Sequence, residues 1–319
     1  MKRLLAALAF AASSFAQAQA WPQRAVNIVV AWPPGSGIDV MARIMQEALR
    51  AELGQTVVID NKGGAAGVIG AQQVANAAAD GYTLLFTSSA LNMVATMGTK
   101  TGYEVPGSFV PIVNAVFTPS LLLAHPSLGV KTPQELVALA KSKPGQLFYA
   151  TAGHGAPSHF VTELFRARTG IEATAIPYRG SPEAMADQIA GRVHFSVANS
   201  STALPQVRKG TVVALAVTGA QRIGAAPEIP TLIEQGYKDF AAASYWNGLL
   251  GPKGLPDAIA QRVATAMNNV LANAEVRDRL FKTGNEIDGK STPASFAELM
   301  KKDYAIWSEV ARVANIKAD

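Results

Sequence analysis

Apolar and polar positions along this chain follow two alternating rhythms, a short β-branched run and then a helical stripe. Val26 to Ala31 is the kind of continuous apolar run that a buried strand needs. From Gly37 to Leu53 the apolar residues Ile38, Met41, Met45, Ala48 and Leu49 recur at helical spacing, and Gly54 suits a left-handed stop. Val57 to Asp60 reads as a second strand, followed by an alanine-rich helix to Ala79. Asp80-Gly81 then turns the chain into a third strand, Tyr82 to Phe86. This β-α-β-α-β series predicts a parallel sheet covered by helices.

The rhythm returns further on. Residues 109–124 are strand-like and carry Pro111 and Pro119, a crossing into a second lobe. Thr132-Pro133-Gln134-Glu135 forms a capping box with proline at the first helical position. Leu147 to Ala152, Ile171 to Tyr178, Val193 to Asn199 and Val212 to Gly219 read as strands, with helices between them. Phe160, Val161, Leu164 and Phe165 share one helical face and predict core. After Tyr245-Trp246-Asn247-Gly248-Leu249-Leu250 the chain is largely helical, with starts at Pro256 and Pro293. The expected organisation is a first lobe over 21–120, a second over 121–243, and a return over 244–319. In open α/β sheets ligands bind beyond the C-terminal strand ends, so two such lobes face each other across a cleft.

The loop between the first strand and its helix, Trp32-Pro33-Pro34-Gly35-Ser36-Gly37, is the strongest chemical signal. Glycines allow close backbone approach, and the free N–H groups of a helix start attract anions. A small acid fits such a loop without side-chain chemistry. Trp32 either walls the cleft with Trp246 or packs beside the prolines. Asp39, in the first helical turn, is favourable there through the helix dipole. Gly63-Gly64-Ala65-Ala66-Gly67 lacks the Gly-Lys-Ser/Thr ending of a phosphate cradle and reads as a tight turn.

Composition narrows the setting. Lys2 and Arg3 precede a short apolar run, Leu4 to Phe15, that ends in Ala18-Gln19-Ala20, the pattern of a secretory signal peptide cleaved after Ala20. The chain contains no cysteine, so disulfides, thiolate chemistry and a lipidated N-terminal cysteine are excluded. Removal of the leader leaves roughly 300 residues, a natural length for two domains at roughly 100–200 residues each. The formal net charge is +5. Its basic residues are scattered, which suits small anions and argues against nucleic acid. His154 and His159 are five apart across Gly and Pro, unlike a helical zinc pair; they either shape their loop or touch the ligand. His125 and His194 read as structural strand-end residues.

Several motifs together resemble one family. They are Trp32 to Asp39, Asp80-Gly81-Tyr82-Thr83-Leu84-Leu85, Tyr149 to Gly155 with His159 beyond, Pro177-Tyr178-Arg179-Gly180-Ser181, Ala203-Leu204-Pro205, Pro230-Thr231-Leu232 and Tyr245 to Leu250. In this order the chain is similar to the Bug/TctC-type extracytoplasmic receptors of tripartite tricarboxylate transporters. The resemblance implies a two-lobed α/β periplasmic binding protein, a type II-like Venus flytrap with its ligand cleft between lobes. It implies a monomer without cofactor or turnover that takes a small organic acid and hands it to the membrane subunits of the transporter. Carried over by position, the first lobe contributes Gly35, Ser36, Gly37, Ile38, Asp39, Ser88 and Ser89, with Trp32 beside them. The second contributes Thr151, Ala152, Gly153, His154, Ser158, Tyr178, Gly180 and Asn199. Arg179 either adds a cation to that set or is a solvated helix-start residue. Ser36 replaces a glycine common in the family, and His194 and Ala198 stand where members often carry Asp, which disfavours an ammonium-bearing ligand.

An NAD-dependent Rossmann-type oxidoreductase is the alternative. Gly35-x-Gly37 opens a helix after a strand, and Asp60 ends the second strand, as a ribose-binding acid would. Val40 occupies the third glycine position and an exported protein meets little NAD, so this reading is the weaker one. No G-x-S-x-G elbow and no H-E-x-x-H motif supports a hydrolase.

Overall fold

A computed structural model describes residues 21–240 and 244–318; the leader expected over 1–20 and its cleavage point after Ala20 lie outside them. The chain begins with β1 (Val26–Val30), α1 (Gly37–Leu53), β2 (Val57–Asn61), α2 (Val68–Ala75), β3 (Thr83–Ser88) and α3 (Ala90–Thr96). A long strand, β4 (Phe109–Ala124), leads to α4 (Pro133–Ser142), β5 (Leu147–Thr151), α5 (Pro157–Thr169), β6 (Ala173–Pro177) and α6 (Ser181–Ile189). Then come β7 (Phe195–Asn199), α7 (Ser200–Arg208) and β8 (Val213–Val217). The return consists of β9 (Ser244–Pro252), α8 (Asp257–Ala272), α9 (Ala274–Lys282), β10 (Glu286–Ile287) and α10 (Pro293–Val313).

β1 is flanked in parallel by β2 and β3, as expected from the β-α-β-α-β series. The sheet then becomes mixed: β9 runs antiparallel to both β3 and β4. In the second lobe β5 pairs in parallel with β6 and β7, and β7 runs antiparallel to β4. β4 therefore serves both lobes. Its segment from Phe109 to Pro119 lies against β9, and from Ser120 to Ala124 it lies against β7. The second edge of each segment is covered as well, by β10 at Val116 and Phe117 opposite β9 and by β8 from Leu121 to Ala124 opposite β7. At about 3.3 Å per residue, its 16 residues reach about 50 Å, enough to cross both lobes.

Helix α1 forms because its apolar stripe has somewhere to go. Met41, Met45 and Leu49 are buried in the first-lobe core against the strands, each contributing on the order of 2 kcal/mol of apolar burial. Ser36 caps its start, and Gly54, at φ 69°, ends it by donating to the Arg50 carbonyl. The helix expected to reach Ala79 stops at Ala75. There Asn76 turns its amide back onto the Gln72 carbonyl and the Ala77 N–H tightens onto Val74. The second-lobe core contains the expected face Phe160, Val161, Leu164 and Phe165, and also Trp307 from α10. Trp307 packs edge-on to Phe160 at 5.9 Å and lies 6.1 Å from Tyr245, so α10 fastens the two lobes.

Candidate functional site

A cleft of about 680 Å³, counted to its open mouth, lies beyond the C-terminal ends of β1, β3, β5 and β7. Trp32, Ser36, Gly37, Ile38 and Ser88 bound it from the first lobe. Ala150, Ala152, Ser158, Ala184, Val197, Ala198 and Asn199 bound it from the second. Thr118 and Ser120 of β4, with Tyr245 and Asn247 of β9, make its floor. No Arg, Lys, His, Asp or Glu lines it among the described residues.

The first wall is a braced loop. Gly35 takes φ +77°, and its N–H donates to the Asp39 carboxylate at 2.8 Å. Asp39 also accepts from Arg43 Nε at 3.0 and 3.1 Å and from Asn61 Nδ2 at 2.9 Å. Burial works to raise its pKa, but these hydrogen bonds and the Arg43 charge outweigh it and hold the carboxyl below its ordinary value. Asp39 thus anchors the loop from behind. Ser36 Oγ accepts the Asp39 N–H at 3.4 Å, which leaves its hydroxyl proton to donate. The amides of Gly37 and Ile38 open α1 without intrahelical partners.

The second wall presents three more helix starts, those of α5, α6 and α7. Ser158 Oγ accepts the Ala152 N–H at 2.9 Å, so its proton too is available. Asn199 caps α7: its Oδ1 accepts the Thr202 N–H at 3.0 Å, which fixes its amide nitrogen as the group free to donate. The walls touch at their rims. A Cβ on Gly37 would stand 2.7 Å from Asn199 Oδ1, and one on Gly180 would stand 2.5 Å from Pro33 Cγ. The lobes are therefore closed on each other, and both glycines are required for that closeness.

Of the residues carried over by position, Trp32, Ser36, Gly37, Ile38, Ser88, Ala152, Ser158 and Asn199 come together around the cleft. The others lie outside its lining. Gly35 shapes the turn and Asp39 braces it. Ser89 Oγ accepts the Trp246 N–H at 3.1 Å, and Thr151 Oγ1 accepts the Gly153 N–H at 3.3 Å. The His154 ring sits 4.5 Å from that of His159, and its Nε2 lies 2.9 Å from the Lys317 carbonyl. Tyr178 donates to Asp187 at 2.8 Å, Arg179 is exposed, and Gly180 meets Pro33 at the rim.

Trp246 is core rather than cleft, edge-on to Phe296 at 5.1 Å with its Nε1 donating to Asp303 at 2.9 Å. His194 accepts the Phe148 N–H at 2.8 Å, and burial draws its pKa down. Ala198 lines the cleft where an acid was the family expectation. The Gly63–Gly67 segment packs under the first loop, Gly63 so closely that a Cβ would meet Pro33 N at 2.7 Å. Asp60, the ribose partner of the alternative reading, pairs instead with Lys62 at 3.2 Å.

The floor residues Thr118, Ser120, Tyr245 and Asn247 were missed. A signal existed: both pairs are two apart, which places each pair on one face of a strand. Polar residues at Thr118 and Ser120 also interrupt a β4 run that is otherwise mostly apolar.

The model of the tripartite tricarboxylate transporter family receptor matches residues 41–312. The periplasmic binding protein BugD superposes with a TM-score of 0.89 at 31% identity, covering 94% of this chain and 100% of that one. Rpa4515 of R. palustris, solved with adipate, gives 0.89 at 32% identity over 93% of this chain and 99% of its own. MatC of Rhodopseudomonas palustris, solved with malate, gives 0.86 at 28% identity over 91% and 99%.

Proposed function

Because this chain belongs to the receptor family of tripartite tricarboxylate transporters, we propose that it is a periplasmic receptor that captures a small organic carboxylate in the interlobe cleft. In this reading it works as a monomer and delivers its ligand to the transporter's membrane subunits. The carboxylate lies against the Gly37 and Ile38 amides, the Ser36 and Ser158 hydroxyls and the Asn199 amide nitrogen. The observation that carries this is the cleft's composition: hydrogen-bond donors converge from both lobes, and among the described residues no charged side chain lines it. Adipate and malate in two relatives support the same ligand class. The leader pattern at residues 1–20 and the periplasmic relative BugD support the compartment.

Neutral donors suffice energetically. Hydrogen bonds to a charged group contribute about 1.5–3 kcal/mol each. Three or four of them offset several kcal/mol of lost translational freedom and leave room for micromolar binding, about −8 kcal/mol. Ligand bridges the two walls, so it favours the closed arrangement, the form suited to docking on the membrane subunits.

Isothermal titration of the mature protein against mono-, di- and hydroxycarboxylates is the test. At least one acid is expected to bind with a Kd near or below about 10 μM. Gly37→Ala, whose added methyl would collide with Asn199, is expected to weaken that acid about 100-fold or more while the far-UV circular dichroism is retained. Failure of every acid to bind defeats the reading.

A further inference from the structure

Two asparagines face the cleft, and the hydrogen bonds behind them orient their amides in opposite ways. Asn199 shows a donor, because its oxygen is taken by a backbone N–H. Asn247 is held from the other side by a chain whose direction is set at its far end. The Leu280 carbonyl can only accept, so the Thr283 hydroxyl donates to it, at 2.7 Å. Thr283 Oγ1 must then accept from Asn285, whose Nδ2 lies 2.7 Å away. That turns Asn285 Oδ1 toward Thr118, which donates to it at 2.6 Å. With its proton committed, Thr118 Oγ1 accepts from Asn247 Nδ2 at 2.8 Å. The same nitrogen lies 3.4 Å from the Tyr245 carbonyl, where a flipped amide would set oxygen against oxygen. The amide orientation of Asn247 is fixed, and its Oδ1 opens on the cleft without a protein partner among the described residues.

From this relay we infer that the ligand carries an uncharged hydrogen-bond donor, a hydroxyl, beside its carboxylate, and that Asn247 selects for it. The inference rests on the carboxylate reading above and sharpens it to hydroxycarboxylates. An apolar ligand atom opposite Asn247 Oδ1 would strip a buried acceptor of water and return nothing. An ammonium would satisfy the oxygen, but among the described residues no carboxylate lines the cleft to neutralise the buried positive charge. A hydroxyl meets both conditions and is the neutral donor that small organic acids commonly carry. Thr118, Asn285 and Thr283 are positioning residues: they fix which end of Asn247 the ligand meets. Asn285 Nδ2 also donates to Ser201 Oγ at 3.1 Å, so the relay reaches the first turn of α7 in the opposite lobe.

Calorimetric titration with acid pairs that differ only by one hydroxyl tests this: malate with succinate, lactate with propionate, and 3-hydroxybutyrate with butyrate. At least one hydroxy acid is expected to bind about tenfold or more tightly than its partner, since a site built around a substrate hydroxyl rejects the analogue that lacks it. In Asn247→Leu, close in shape but without the oxygen, that ratio is expected to fall to within about threefold. Asn247→Ala provides the same reading should the larger side chain disturb folding. Equal binding of both members of every pair, with acids still bound, overturns the hydroxyl inference and leaves the carboxylate reading intact. A preference that survives both variants removes Asn247 as its source. Binding of no acid at all defeats both conclusions together.

Discussion

Two buried aspartates, one behind each end of the binding machinery, show how differently the same side chain can be used. Asp39 braces the first-lobe loop and has a cation, Arg43, half-exposed beside it. Asp303 sits in α10, where the lobes are fastened, and has none among the described residues. Its Oδ2 accepts from Asn92 Nδ2 at 2.7 Å and Trp246 Nε1 at 2.9 Å, and its Oδ1 accepts from Trp307 Nε1 at 2.8 Å. Burial pushes this carboxyl up to about 6 even against those donors, whereas Asp39 is held below the ordinary value. The balance of burial against hydrogen bonds separates the two cases. At Asp39 the donors, led by Arg43, outweigh burial, with the Arg43 charge adding least; at Asp303 burial outweighs the donors. Neither lines the cleft; each holds a neighbour of it in place.

Removing each side chain measures that contrast. Asp303→Ala strands two indole N–H groups and an amide in the core, at on the order of 4 kcal/mol of stability in urea unfolding. A loss below about 1 kcal/mol would mean the donors find other partners. Asp39→Ala frees the Gly35 N–H at the surface end of the loop, and about 2 kcal/mol is expected. It should also cost acid affinity about tenfold, about 1.4 kcal/mol, because the loop that presents the Gly37 amide is loosened; full affinity in titration would detach the brace from binding.

The subtlest test is the pH dependence. Asp303, with a folded value of about 6 against an unfolded value near 3.9, takes up a proton on folding. Its contribution is full below about pH 4 and is lost as pH rises through 6. Asp39, held low, contributes above about pH 4 and loses that contribution as pH falls through its depressed folded value. Stability differences between the parent and Asp303→Asn, and between the parent and Asp39→Asn, should therefore slope in opposite directions with pH, the Asp303 pair by about 1 kcal/mol per unit at its steepest. Parallel slopes would erase the distinction.

Local signals carried the fold and half of the cleft. Ser36, Gly37 and Ile38 could be placed because strand, turn and helix start are contiguous in the chain. Asn199 and Ser158 likewise stand at helix starts. The floor needed contacts that no window contains: Thr118 meets Asn285 across 167 positions, and Asn92 meets Asp303 across 211. A lone asparagine or threonine in an apolar strand carries no label for what it will touch. Arg179 shows the converse, a basic residue in a promising loop whose side chain the fold leaves exposed.

The shared strand β4 has a further consequence for anyone engineering this scaffold. With neighbours along both edges in both halves, it cannot be severed near Pro119 to yield two separable modules, and each half would inherit a raw edge eager to aggregate. A chimera that exchanges specificity must graft wall loops onto an uncut ribbon, and heat should melt the whole molecule in one transition.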